Sequence, residues 1–282
     1  MKDNFCNLRR FLDRRANICT PTGADVIEAT IMTVGDLVRI VECCHTGSYQ
    51  YRGQKKISSE LLPALTRPGG PWPAGCDQGE GEGWQEKEAH ILREFRTLAS
   101  QHLPIYAPNV VTDIQIAMLA QHHGTPTRLL DWTMNPLAAL YFAVEETTTD
   151  EDSVVWAIHW DRKRLSEVKA GSFCELGSAL HFVIPDHVSS RAAVQASIFA
   201  LWGDPTKPML DVVTDKSAFW KIRVPCDQRA EIKWALFCLG ISRDTLFPGL
   251  DGIGDYLRWK HNRKHQKDFN ERGIPEATNE KG

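Results

Sequence analysis

The stretch "QHHGTPTRLLDWTMNP", Gln121 to Pro136, joins two apolar helical patterns and sets how they relate. Gly124 is placed to end a helix, because a residue without a Cβ enters the left-handed conformation there without strain. Thr125-Pro126 forces an extended or turn backbone, since the proline ring crowds the residue before it. "TRLLDW", Thr127 to Trp132, then reads as a short buried strand. Asn135-Pro136 supplies the cap and first position of the next helix. Helix, turn, strand, turn, helix is a chain reversal that gathers polar side chains at one end of a sheet, where sites tend to form.

Upstream, the spacing of Ile114, Ala117, Met118 and Gln121 predicts a helix that Asp113 caps. Before it, Gln85 to His102 reads as a helix with Ile91, Phe95 and Leu98 on one face. Pro68 to Gly83 holds three prolines and six glycines and is read as a loop. "SYQYRGQ", Ser48 to Gln54, reads as a strand ending at Gly53, and Val34 to Cys44 as a helix. Downstream, Leu137, Leu140, Tyr141 and Val144 form the stripe of a third helix. "VVWAIHW" from Val154 is a buried strand, "ALHFVI" and "SAFWKIRVP" are further strands, and Arg229 to Leu239 is helical. Helices come first, then strands mixed with helices, without regular β-α alternation. That order predicts an α+β fold, a mixed β-sheet flanked by helices. Residues 1–32 are read as a lead-in segment and 33–258 as the domain. The remainder, 259–282, is read as a basic tail, since Arg258 to Arg272 carries six Lys/Arg against two Asp/Glu.

Composition sets the outer limits. The chain has 282 residues, 42 % hydrophobic and 24 % charged, as expected of a protein that buries a core. A net charge of −3 gives no overall pull towards nucleic acid or acidic membranes. No apolar run approaches the roughly 20 residues that span a bilayer, so no membrane partner is expected. The eight cysteines contain no C-x-x-C pair, which points to a reducing, cytoplasmic setting rather than to zinc or redox chemistry.

Three chemistries compete for the polar residues of the central stretch. His122, His123 and Asp131 could ligate a metal, although adjacent histidines seldom point at one ion and no histidine at i+4 supports them. Asp131 could orient an imidazole as an acid/base pair, yet no serine or cysteine sits in a recognisable nucleophile elbow. The third reading, favoured by the physics, is a structural clamp in which Arg128 pairs with Asp131 and threonine hydroxyls satisfy the flanking element ends. Separately, Tyr51-Arg52-Gly53 sets a guanidinium fork beside open backbone at a strand end, which suits capture of phosphate or carboxylate.

"YRGQ" at Tyr51 to Gln54, "EAHILREFRTLA", and "QIAMLAQHHGTPTRLLDWTMNPLAALYFAVEE" together resemble the FRG domain, a family of bacteria and phages named for its (Phe/Tyr)-Arg-Gly motif. "RAAVQASIFAL" with Gln195 and Phe199, and "LFPGLDGI" at Leu246 to Ile253, resemble its later motifs. A second resemblance is to arginine-first ADP-ribosyltransferases with a split sheet. It implies NAD as substrate, with no metal, and an activity of ADP-ribosyl transfer or NAD glycohydrolysis in a toxin or phage-defence setting. Arg52 would anchor NAD; Tyr51, Gly53, His122, Arg128, Trp132 and Thr133 would bind the ligand, and His123, Asp131 and Gln195 would be catalytic. The chain departs from those enzymes in lacking a late E-x-E or Q-x-E glutamate: Glu231 lies on an expected helix and Asp251 in the FPGLDG turn. Two alternatives therefore stand beside it: a non-enzymatic module binding a nucleotide-like small molecule or nucleic acid, and a metal-dependent hydrolase or nuclease. A protein or nucleic-acid target is the expected macromolecular partner.

Overall fold

The computed structural model describes residues 26–43, 49–73, 83–103, 112–146, 150–159, 173, 179–184 and 194–262, and the backbone of 18 and 19. The rest of the expected lead-in, the middle of the Pro68–Gly83 loop and the basic tail beyond Asn262 lie outside the described residues. Eight strands form one mixed sheet: β1 Ile18–Cys19, β2 Ile27–Thr30, β3 Tyr49–Gln54, β4 Leu130–Thr133, β5 Ser153–His159, β6 His181–Val183, β7 Ser197–Leu201 and β8 Phe219–Val224. Their order is β1-β2-β8-β5-β3-β4-β7-β6, with β2 parallel to β8 and every other neighbouring pair antiparallel. This is the α+β architecture expected. The expected lead-in segment supplies two of its strands, because Ile27 and Ala29 bury themselves against the sheet.

The helices are α1 Val34–Cys43, α2 Trp84–Leu98, α3 Asp113–His122, α4 Pro136–Val144, α5 Met209–Val212, α6 Arg229–Cys238, α7 Arg243–Leu246 and α8 Leu250–Lys260. None is long and apolar enough to cross a membrane. One face of the sheet carries two apolar clusters. The first packs α1, α4 and α6 onto Tyr51, Val155 and Ile222; the second packs α2 and α3 onto Phe199 and Leu201. The opposite face holds Trp132, Trp156, Ile198 and Phe219 under Leu61 and Met209.

Caps explain the element ends. Asn135 Oδ1 accepts from the N–H groups of Leu137 and Ala138, with Pro136 at the first helical position as read from the sequence. For α3 the cap is Thr112 rather than Asp113. The Thr112 hydroxyl accepts the Gln115 N–H at 3.2 Å and the Gln115 side chain accepts the Thr112 N–H at 3.1 Å, a reciprocal box that outcompetes a lone aspartate. Gly124 has φ +86 and ends α3. Of the expected apolar face of α2, Phe95 packs against the core and Ile91 is half-buried, but Leu98 is 74 % exposed; the fully buried positions are Trp84, Glu88 and Leu92. Asp251 lies in the first turn of α8, not in a loop, and α8 runs past the expected boundary at 258.

A cleft at the split of the sheet

β3 pairs with β5 at six register positions and β4 pairs with β7 at four, yet β3 and β4 meet only at Tyr51 opposite Thr133. The two halves of the sheet diverge beyond that point, and a cleft of about 1040 Å³ opens there. β3 is held against α4 by Gly53. A Cβ on it would lie 1.9 Å from the Ala139 carbonyl oxygen and 2.6 Å from the Ala143 nitrogen, so helix and strand touch backbone to backbone. The glycine of Tyr-Arg-Gly is thus required by packing, whatever else the open backbone serves.

Arg52 crosses the split. Its Nη1 donates to the Asp131 carbonyl at 2.5 Å, satisfying a backbone acceptor of β4 near where β3 turns away. Its Nε is buried without a hydrogen-bond partner, and among the described residues it has no ion pair. Burial pulls the guanidinium pKa down to about 10; the Asp131 carboxylate pushes the other way, and Arg67, also lining the cleft, adds a like charge. The lining holds four formal cations, Arg52, Lys55, Lys56 and Arg67, and four carboxylates, Glu60, Asp131, Glu145 and Glu146. The charges are not evenly paired. Lys55 lies 3.6 Å from Glu145 and 3.4 Å from Glu146, and Glu145 also takes Arg243 at 2.6 Å. These contacts leave Arg52, Lys56 and Arg67 bordering the cleft without a paired carboxylate among the described residues.

The other expected residues divide by position. Tyr51, Trp132, Thr133, Asp131, Gln195 and His122 all border the cleft. The Tyr51 ring belongs to the α4 cluster, and the Trp132 ring lies in the opposite core, edge-on to Phe182 at 5.9 Å. The Thr133 hydroxyl donates to the Gln195 carbonyl at 2.5 Å and accepts the Asn135 N–H at 2.9 Å, tying β4 to the start of β7 and to the α4 cap. The Gln195 Nε2 donates to the Leu246 carbonyl at 2.9 Å. Ala196, between the cleft residues Gln195 and Ser197, is the one non-glycine with positive φ among the described residues (46°). That kink costs roughly 1–2 kcal/mol and turns the Gln195 carbonyl towards Thr133.

Two expected residues lie elsewhere. His123 caps α3, with its ring edge-on to His122 at 4.9 Å, and does not border the cleft; His122 does. Arg128 does not pair with Asp131. It is buried against Glu88 of α2, donating through Nε at 2.5 Å and through Nη2, while its own N–H donates to Glu88 Oε1 at 2.9 Å. Trp84 and Phe173 sandwich the guanidinium at 4.5 and 4.4 Å. The clamp exists, but its acid comes from a helix 40 residues upstream, not from the turn itself. Among the described residues no three His, Cys, Asp or Glu side chains gather as a metal set, so His122, His123 and Asp131 do not form one. Lys55, Lys56 and Arg67 were not singled out from the sequence, although two lysines directly after Tyr-Arg-Gly-Gln were a legible sign of a cationic strand end.

The family model for the FRG domain matches residues 47–152. That span holds β3, α2, α3, β4 and α4, and so every cleft wall except β7. No curated protein matches the chain, and no solved structure does.

Proposed function

We propose that this FRG-domain chain binds the diphosphate of a nucleotide on Arg52 in the β3–β4 cleft, and that the nucleotide is NAD, consumed as an ADP-ribosyl donor or by hydrolysis. The observation that carries the reading is Arg52 itself: a half-buried guanidinium whose buried Nε has no hydrogen-bond partner, with no ion pair among the described residues and a second guanidinium nearby. A diphosphate relieves that arrangement, because it offers the paired anionic oxygens that a guanidinium fork matches. The cleft volume is at the upper end of the range for small-molecule sites, enough for a dinucleotide.

The chemistry follows from the remaining groups. The bond between ribose C1′ and the nicotinamide nitrogen breaks with its electron pair left on nicotinamide. An acceptor oxygen or nitrogen bonds to C1′ and its proton passes to water; with water as acceptor the product is ADP-ribose. The Asp131 carboxylate offsets the positive charge that develops on the ribose. Gln195, whose Nε2 is occupied by Leu246, keeps Oε1 to accept from a ribose hydroxyl. NAD titrated calorimetrically should bind, Arg52→Ala should abolish binding, and chromatography should show nicotinamide release that Asp131→Asn slows at least tenfold. No binding of NAD, ADP-ribose or ADP sinks the proposal.

One observation favours a second reading, a binding module without turnover. The two cleft glutamates of the α4 end are already engaged by Lys55 and Arg243, which leaves few carboxylates free for ribose chemistry. Arg52-dependent nucleotide binding with no nicotinamide release, alone or with cell lysate as a source of acceptor, selects it.

A further inference from the structure

Gln121, in the last turn of α3, borders the cleft, and a count of protons fixes which way its amide points. Thr127 is fully buried, and its hydroxyl oxygen accepts the Leu129 N–H at 3.2 Å. The hydroxyl proton needs an acceptor, and its partner among the described residues is the Gln121 side chain, in a short hydrogen bond to Oε1. A flipped amide would set –NH2 against the hydroxyl and strand that buried proton. Oε1 therefore faces Thr127, and Nε2, with two protons and no partner among the described residues, is turned away from it. Met118, three residues earlier on the same helix, and Phe199 of β7 also border the cleft, and both are nearly buried. They make an apolar wall beside a pair of N–H donors.

Resting on the proposed reading that Arg52 takes the phosphate end, we infer that Gln121 is a specificity-determining residue. It donates from Nε2 to an acceptor on a flat heteroaromatic ring seated against Met118 and Phe199. Two rings share that chemistry: nicotinamide, through its carboxamide oxygen, and adenine, through a ring nitrogen. A charged phosphate alone gains nothing from this subsite.

Calorimetric titration of the full chain with ribose 5-phosphate, nicotinamide mononucleotide and adenosine monophosphate tests it, since the three share a phosphate and differ in the ring. At least one ring-bearing probe should bind ten times more tightly than ribose 5-phosphate, and which one does so identifies the ring. Gln121→Met should remove that advantage and leave ribose 5-phosphate within twofold. Gln121→Glu keeps an acceptor for Thr127 while replacing the donors, so it preserves the fold contact and should also lose the advantage. A ring that adds nothing, or an advantage that survives both substitutions, overturns the inference. If phosphate binding depends on Arg52 but the ring adds nothing, this subsite falls alone. If no probe binds, the phosphate anchor falls with it.

Discussion

Gly53→Ala is the most direct probe of how the cleft is built. The added methyl would sit 1.9 Å from the Ala139 carbonyl oxygen and 2.6 Å from the Ala143 nitrogen. Both are backbone atoms of α4, so no side chain can rotate away. Ordinary contact needs α4 to retreat by roughly 1.5 Å, because interiors packed at crystal density have no slack to absorb it. α4 cannot retreat cheaply, since Ala138, Ala139, Leu140, Tyr141, Ala143 and Val144 are all buried. The cost should be at least about 3 kcal/mol, the upper end of the overpacking range. For a chain of this size that is a melting-temperature loss of roughly 6–12 °C. Urea denaturation followed by tryptophan fluorescence measures it. Ala139→Gly added to the variant should not rescue stability, because the clash is with the residue's carbonyl and not its methyl. A Gly53→Ala protein within about 0.5 kcal/mol of wild type, or a rescue by Ala139→Gly, would refute the backbone-contact account and return this glycine to a role at the ligand.

Glu88→Ala should destabilise by about 3–5 kcal/mol in chemical denaturation, because it strands the buried Arg128 guanidinium; the pair replaced together by Glu88→Leu and Arg128→Met should cost much less. A double variant no better than the single one would place the energy outside the pair. Lys233 donates to the Glu145 carbonyl at 2.6 Å and sits over the Trp259 ring; burial lowers its pKa from 10.5 to about 8, with Glu145 pushing it up and Lys55 and Arg243 pushing it down. Between those two values the unfolded chain holds this proton and the folded chain does not, so the stability of wild type relative to Lys233→Met should rise from about pH 8 to pH 10.5 and be flat below pH 7. A stability difference that does not change across that window would contradict the burial of the amine. Thr133→Val should cost about 1–3 kcal/mol, since it leaves the Gln195 carbonyl and the Asn135 N–H without their shared hydroxyl; a neutral result by thermal melting would show that water replaces it.

The elements with local signals were legible in the sequence. α1, α4 and β5 declared themselves through apolar spacing, and Asn135-Pro136 marked its helix start to the residue, because caps and periodicity depend on neighbours a few positions apart. What stayed hidden depends on contacts across the chain. Glu88 is buried against Arg128, 40 residues later, so no rule of apolar periodicity could mark a glutamate as an inward position of α2. β2 and β7 are short, and their identity as strands comes from β8 and β4, not from their own composition. The candidate site was half visible: Arg52 and Asp131 were read as polar residues of interest, but the bond from one to the other's main chain required knowing that the sheet divides between them. The Lys55–Glu145–Arg243 chain spans almost 190 residues and left no local trace.

The single register pair between β3 and β4 has a consequence for anyone moving this domain between proteins. The family match closes at Asp152, one residue before β5, and β7 begins 45 residues further on. A gene fragment cut to the matched span would carry β3 without β5 and β4 without β7, leaving two strands that share one position. The smallest transplantable unit is therefore set by strand pairing and not by the boundary of the recognisable motif: it runs at least through β8, and any chimaera joined at Asp152 inherits the cleft walls of β3, α3, β4 and α4 without β7 and without the β5 pairing that holds β3.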